Sequence, residues 1–454
     1  MRTVKWSAVL SGICGVAAAL TLTVSAVHAQ SGDLTVERGA SILAFPKVLS
    51  SGASDTIITI GNTQNVMVHA RCFYVDAQLP DGCAVENAKV GCVPRWQETD
   101  FDIWLTKQQP THWRASVGRI VNNFDSCFTD SNQVDPTLCE NAGDDPGSVP
   151  PVQEGFVGEL KCVQVDSDML PIGGNALKGE ATVKTGGDVA KYNAVGFEGT
   201  ALAGETGNDL LLNLPHGLTI DDPSINDIGA QYSACPETLI VNHFAQGVTD
   251  PVVFENLRGG VCEPVAPPEG NLVDGTSEIA CNTDQDCCTP DGAECPVGVC
   301  VGGPQILDPA TGALSLRSAT ITDLTLIPCS EDFEEQQPAT VTVQFEIFNE
   351  FEQMFSASTT ITCWKNFFLY EVNNFQDPSR SVFSYATLGT TVAQTRVTPV
   401  GGTNAWGVIG VQGEVRADRD QNVARTLNNL HYEGDRFTAS GGTLTDHIIM
   451  SDIF

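Results

Sequence analysis

Basic residues are scarce in this 454-residue chain: 23 Lys and Arg stand against 56 Asp and Glu, a formal net charge of −33. Phosphate backbones are repelled by such a surface, so nucleic acid is not an expected partner. Anionic membrane surfaces are repelled on the same ground, whereas divalent cations are attracted. Local catalytic signatures are also missing. No Gly-x-Ser-x-Gly turn presents a serine, no His-Glu-x-x-His holds zinc, and no Gly-x-x-x-x-Gly-Lys-Ser/Thr loop cradles phosphate. Cys-x-x-Cys and its haem-binding extension are absent, and none of the seven His lies at zinc-ligand spacing from a cysteine pair. Amphipathic helical periodicity nowhere extends beyond about two turns. After the first 29 residues, no uncharged run reaches the roughly 20 residues of a membrane helix.

Arg2 and Lys5 precede an apolar, small-residue run from Trp6 to Ala26, and Val27-His28-Ala29 follows before Gln30. This reads as a secretory signal over residues 1–29, cleaved after Ala29. The Ser, Thr, Gly and Ala content argues against a retained anchor, and the bulky Ile13 argues against lipidation at Cys14. Removing the segment takes away two basic residues and no acidic one, so the mature chain is more negative still. The expected location is the periplasm, the cell surface or the exterior, with no transmembrane segment after cleavage. The terminal Phe454 invites an outer-membrane barrel reading, but counting back by twos puts Asp452 on the lipid face, and the reading fails.

Fifteen cysteines follow the signal: Cys72, Cys83, Cys92, Cys127, Cys139, Cys162, Cys235, Cys262, Cys281, Cys287, Cys288, Cys295, Cys300, Cys329 and Cys363. In an exported chain they are disulfide candidates. Their odd number leaves at least one unpaired or pairing between chains.

Period-two patterning with β-branched and aromatic residues predicts a mostly β protein: two Ig-like or similar antiparallel β-sandwich units with a disulfide-rich insertion. The expected division is an N-terminal sandwich over residues 30–205 with an acidic loop at 130–151, a β/loop region over 206–305, and a C-terminal sandwich over 306–454. Ser54 to Ile60 and Val66 to Val75, joined through Gly61 and Asn62, read as a hairpin. Strands are expected around Phe101 to Thr106, Val157 to Val163 and Ala181 to Val183. The best alternation puts Val341, Val343, Phe345 and Ile347 on one face, with Phe355 to Trp364 as the hairpin partner. Both second strands finish on Cys and an aromatic, Cys72-Phe73 and Cys363-Trp364, which raises a duplication; the flanking residues do not align, and coincidence is favoured.

Residues 262–303 change character, rich in Pro, Gly and Asp and dense in cysteine. Cys281-Asn282-Thr283-Asp284-Gln285-Asp286-Cys287 resembles the short Cys-x-x-Asp-x-Asp-Cys modules of exported proteins from some environmental bacteria. The resemblance covers about twenty residues and implies a disulfide knob or stapled linker and an extracytoplasmic setting. The rest of the mature chain loosely resembles uncharacterised exported β-sandwich proteins of such bacteria, which bring no catalytic residues.

Three ligand chemistries have candidate residues. Trp96, Trp104 and Trp113 fall close together and offer flat rings for pyranose faces; core packing is the competing fate. Calcium wants several oxygen ligands, and Asp284 and Asp286, or Asp418, Asp420 and Asn422, place oxygens at alternate positions. Val423 stands where the loop at 418 needs Gly, and a cysteine where the loop at 282 does, so solvated turns are the favoured reading of both runs. Cys235 near His243 suggests a thiol nucleophile with its base, against a structural disulfide, which the compartment favours. The function expected first is a non-enzymatic structural or surface-associated protein of the envelope or exterior, with itself, other surface proteins or glycans as partners and no cofactor beyond calcium. A carbohydrate-binding module is the alternative, and a secreted hydrolase without a local motif the second.

Overall fold

The computed structural model describes residues 34–81, 83, 93–120, 145–199, 217–221, 231–246, 319–336, 338–372, 381–401, 406–417, 423–436 and 446–450. Those residues are nearly all β, in antiparallel sheets arranged as sandwiches, as the alternation predicts.

The first unit is a nine-stranded antiparallel sheet. Its path runs β4 (Gln97–Leu105), β3 (Val68–Asp76), β6 (Phe156–Val165), β1 (Ile42–Ser50), β2 (Ser54–Asn62), β7 (Leu177–Thr185) and β8 (Asp188–Asn193). Two short strands join it, β5 (Pro110–Arg114) on β2 and β9 (Val195–Phe197) on β1. The sheet folds over one core, which Ile58 and Ile60 of β2 share with Ala70, Cys72 and Tyr74 of β3 and Leu160 of β6. Trp113 ties the layers by donating its indole Nε1–H to the Tyr74 hydroxyl at 2.6 Å, both groups buried. Cys72 and Cys162, direct partners across β3 and β6, form a disulfide inside that core.

The expected 54–75 hairpin does not form. β2 pairs with β1, β5 and β7, while β3 pairs with β4 and β6. Asn62 turns the chain instead: its side-chain amide donates to the Val66, Leu105 and Thr106 carbonyls, so the connection is a corner between layers. The later hairpin is as expected, with β15 (Thr340–Asn349) against β16 (Met354–Thr362) in register from Thr340↔Thr362 to Phe348↔Met354. Asn349 Oδ1 accepts the Phe351 and Gln353 amides and builds its turn. The parallel between the two cysteine-aromatic pairs ends there, because Cys72 is bonded to Cys162 while Cys363 is a buried free thiol.

The second unit packs a five-stranded sheet on a four-stranded one. The first runs β16, β15, β18 (Val392–Pro399), β12 (Cys235–Phe244) and β21 (His431–Arg436); the second runs β17 (Lys365–Phe368), β13 (Ala319–Pro328), β19 (Val408–Ala417) and β20 (Val423–Asn429). Leu239 and Val241 meet Leu324 and Leu326 between them, with Val343, Phe345 and Val397. The β/loop region expected over 206–305 contributes a strand to this unit. Its strand β12 lies between β18 and β21, and Cys235 at its start is bonded to Cys329. Sequence blurs this boundary because β12 finds its partners more than a hundred residues downstream. The acidic loop and the 262–303 insertion fall largely or wholly outside the described residues.

A small third sheet, β11 (Gln231–Tyr232), β10 (Leu218–Asp221), β22 (Asp446–Ile449) and β14 (Glu331–Asp332), carries parallel pairings of β22 with β10 and β14. It closes a second core in which Ile42, Phe73, Val163 and Phe197 from the outer face of the first unit meet Ile327, Phe333, Ile409 and Ile448. The two units thus share apolar interior.

His243 on β12 is buried and fully bonded, Nδ1 to the Phe244 carbonyl at 2.9 Å and Nε2 to the Thr395 hydroxyl at 2.8 Å. Burial pushes its pKa down to about 4 against the opposing pull of the Phe244 carbonyl. Above pH 6.5 the ring is neutral folded and unfolded; as pH falls from 6.5 to 4 only the unfolded chain takes the proton, so stability declines. The expected loss is about 3 kcal/mol by pH 4. Urea unfolding at several pH values, with His243→Gln as the comparison, is expected to show a flatter profile for the variant in that window.

Candidate functional site

The join between the two units begins at a sequence irregularity in β1. Pro46 has no amide proton for the ladder, and the β1–β6 register shifts between Phe45 and Val48. The bulge frees backbone groups that other elements then occupy. Trp364 donates its Nε1–H to the Pro46 carbonyl at 2.7 Å, and the Tyr192 hydroxyl accepts from Lys47 N and donates to the Lys47 carbonyl. The Lys47 side chain crosses to Asp323 on β13, whose Oδ2 also accepts from Asn366 Nδ2 at 2.8 Å. Gly413, opposite Asp323 in the β13–β19 ladder, gives this carboxylate its space, since a Cβ there would collide with Oδ1. At the far end of the join, Asn429 pairs with the backbone of Asn193 through both side-chain amide atoms.

Beside Lys47 lies a cavity of about 180 Å³ lined by Asp323, Asn366, Glu414 and Arg425. That is smaller than the roughly 300–1,000 Å³ of small-molecule sites.

Deeper in the join, alternation along β6 points Glu159 and Lys161 out of the first core and into the second unit. The Lys161 ammonium lies 2.9 Å from Glu159 Oε2 and 2.5 Å from Glu331 Oε2 on β14, with every one of these side chains at most 1% exposed. Burial, reinforced by the Glu331 charge, pushes the Glu159 carboxyl well above its ordinary pKa against the pull of Lys161. Burial alone would lower Lys161; the two carboxylates reverse this and hold its pKa raised. The resulting cluster gathers two carboxyl groups around one amine, out of contact with solvent. The free thiol of Cys363 senses the same surroundings: burial first, then the Glu159 and Glu331 charges, push it well up, which makes it a poor nucleophile.

The three candidate rings do not form one platform. Trp96 is 2% exposed and packs on Phe333 at 5.6 Å, within the shared core. Trp113 is equally buried and spends its N–H on Tyr74. Trp113 goes inward with the alternation of β5, while Trp96 precedes β4 with φ 46° and turns its ring into the shared core, the usual fate of Trp in a sandwich. Trp104 is half-buried, stacked at 4.0 Å on His69, beside a row formed by Arg71, Asp100 and Asp102. Cys235 is bonded to Cys329, so the Cys235–His243 nucleophile is ruled out, and His243 serves as a core hydrogen-bonding group. The calcium candidates Asp284, Asp286, Asp418, Asp420 and Asn422 lie outside the described residues. Of the disulfide candidates, Cys72–Cys162 and Cys235–Cys329 are paired, Cys83 is also disulfide-bonded, and Cys363 is free; the other nine lie outside the described residues. The Glu159–Lys161–Glu331 cluster was missed by sequence reasoning. Its one signal was a pair of charges two apart on the inward face of an otherwise apolar strand.

The cluster makes the join sensitive to single changes. Lys161→Ala strands two buried carboxyls without their cation and is expected to lower the unfolding free energy by about 3–5 kcal/mol or more. Replacing all three side chains with Leu or Met is expected to cost far less, a contrast that denaturant midpoints measure directly.

No protein-family model matches the chain, and no curated protein matches it. Among solved structures, Thermotoga maritima 1070 aligns at 10% identity over 36% of this chain and 98% of its own, with a TM-score of 0.20. A human norovirus virus-like particle protein aligns at 9% identity over 87% and 77%, with a TM-score of 0.13. Superposition this poor assigns neither family nor activity, and the chain's own chemistry has to carry the functional reading.

Proposed function

We propose that this is an exported, non-enzymatic structural protein of the cell envelope or exterior, whose copies associate edge to edge through β16. The observation that carries the reading is the composition of that strand. Among described strands of four residues or more, Met354-Phe355-Ser356-Ala357-Ser358-Thr359-Thr360-Ile361-Thr362 has no Asp, Glu, Lys or Arg, although the chain holds 56 acidic residues. Among the described residues β16 is the last strand of its sheet, and Phe351 in the turn before it and Met354 at its start are 70% and 62% exposed. Edge strands are ordinarily guarded by charge or proline, because an open edge recruits another strand. Lys365 reaches Thr359 and the Thr360 carbonyl near the far end, and the described residues place no other charge of this kind along the strand. Two copies this acidic repel over most of their surfaces, so an uncharged edge is where they can meet. Export accounts for the leader-like first residues and the disulfides, and calcium would screen the remaining repulsion.

Light scattering after size separation, on non-reduced protein with calcium and then with chelator, tests the reading. Particles larger than one chain are expected, and Ser356→Lys with Ser358→Lys is expected to return them to monomers. A monomer at every concentration, with calcium or without, contradicts it.

A carbohydrate-binding reading retains one specific observation, the half-exposed Trp104 with carboxylates beside it. It requires glycan-array binding that Trp104→Ala abolishes.

A further inference from the structure

The buried cluster in the join has the composition of a reaction centre. Lys161 Nζ touches Glu331 Oε2 at 2.5 Å and Glu159 Oε2 at 2.9 Å, and all three groups are sealed from solvent. Glu159 Oε1 and both carboxylate oxygens of Glu331 lack a hydrogen-bond partner at bonding geometry among the described residues. An amine, an acid and a second carboxyl able to carry protons, held together out of solvent, are the components of an amide condensation.

We infer that Lys161 Nζ and Glu331 Cδ become joined by an isopeptide bond in the folded protein, with Glu159 as the proton carrier. The ammonium first passes a proton to the Glu331 carboxylate, giving a neutral amine and acid; the raised pKa of Lys161 opposes this exchange, and burial assists it by removing two charges from a dry interior. The Nζ lone pair attacks Cδ and the C–N bond forms. Glu159 takes a proton from Nζ through one oxygen and delivers its own to the departing hydroxyl of Glu331. The C–O bond breaks, one water leaves, and Glu159 ends in the form in which it began. The balance is ammonium plus carboxylate to amide plus water, with no oxidant, reductant or cofactor. Bulk water drives such bonds toward hydrolysis; here burial excludes the water that would reverse the step. The product ties β6 of the first unit covalently to β14 of the second.

The Lys47–Asp323 pair is the built-in comparison. Its side chains are 10% exposed, Asn366 holds the carboxylate, and no second carboxyl touches Lys47 among the described contacts, so it is expected to stay ionic.

Peptide mapping of the purified full-length protein, reduced, alkylated and digested with trypsin, tests the inference. The expected product is a branched peptide containing Lys161 and Glu331, lighter than its two arms by one water, with no cleavage after Lys161. Glu159→Gln is expected to yield the linear peptides instead, with Lys161→Arg as a second unlinked form. Wild-type protein cleaved after Lys161, or linked to Glu159 rather than Glu331, overturns the inference even if neither variant folds. A Glu159→Gln protein that stays fully linked overturns the role given to Glu159.

Discussion

One ammonium buried between two carboxyl groups holds the two halves of this protein in register. Lys161 and Glu159 come from the first unit and Glu331 from the second, and none of them reaches solvent. Removing charges from water costs several kcal/mol per ion, so such a cluster persists only where its partners remain in place. If the units separated before Lys161 and Glu331 were joined, Lys161 would keep Glu159 and lose Glu331, and the freed cavity would need water. The join is therefore specific in a way that its apolar neighbours, Phe73 stacked on Phe333 and Val163 beside them, are not.

The rest of the architecture delivers these groups to one place. The bulge at Pro46 gives up ladder hydrogen bonds so that Trp364 and Tyr192 can take its backbone groups, and it turns Lys47 toward Asp323. Strand alternation then does two jobs along β6: Leu160 and Cys162 fill the first core while Glu159, Lys161 and Val163 face the second unit. The small sheet built on β22 brings Glu331 to meet them by parallel pairing.

Local signals in the sequence were read correctly where partner strands are near in the chain. The β15–β16 hairpin follows from alternation at Val341, Val343, Phe345 and Ile347 and from the turn chemistry of Asn349. The same kind of signal misled at residues 54–75, because two strong strands joined by a short polar segment look alike whether they pair or cross to opposite layers; Asn62, bonded to the Thr106 carbonyl, decides for the crossing. β12 carries no such local signal, because its pairing with β18 spans more than a hundred residues. Trp96 and Trp113 show that aromatic clustering in sequence does not report exposure. The charge pair on β6 carried the missed information, since a Lys and a Glu on the inward face of an apolar strand require partners that only the tertiary structure supplies.

Native-state hydrogen exchange on the full chain tests the central claim most directly, because it reads the opening free energy of each strand separately. A single body joined by a shared core and a buried ion cluster predicts that the most protected amides of β1 and β6 and those of β13 and β19 open together, with one common free energy. Opening of β13 and β19 at markedly lower free energy, while β1 and β6 stay closed, would show two independent units in contact and would contradict the account.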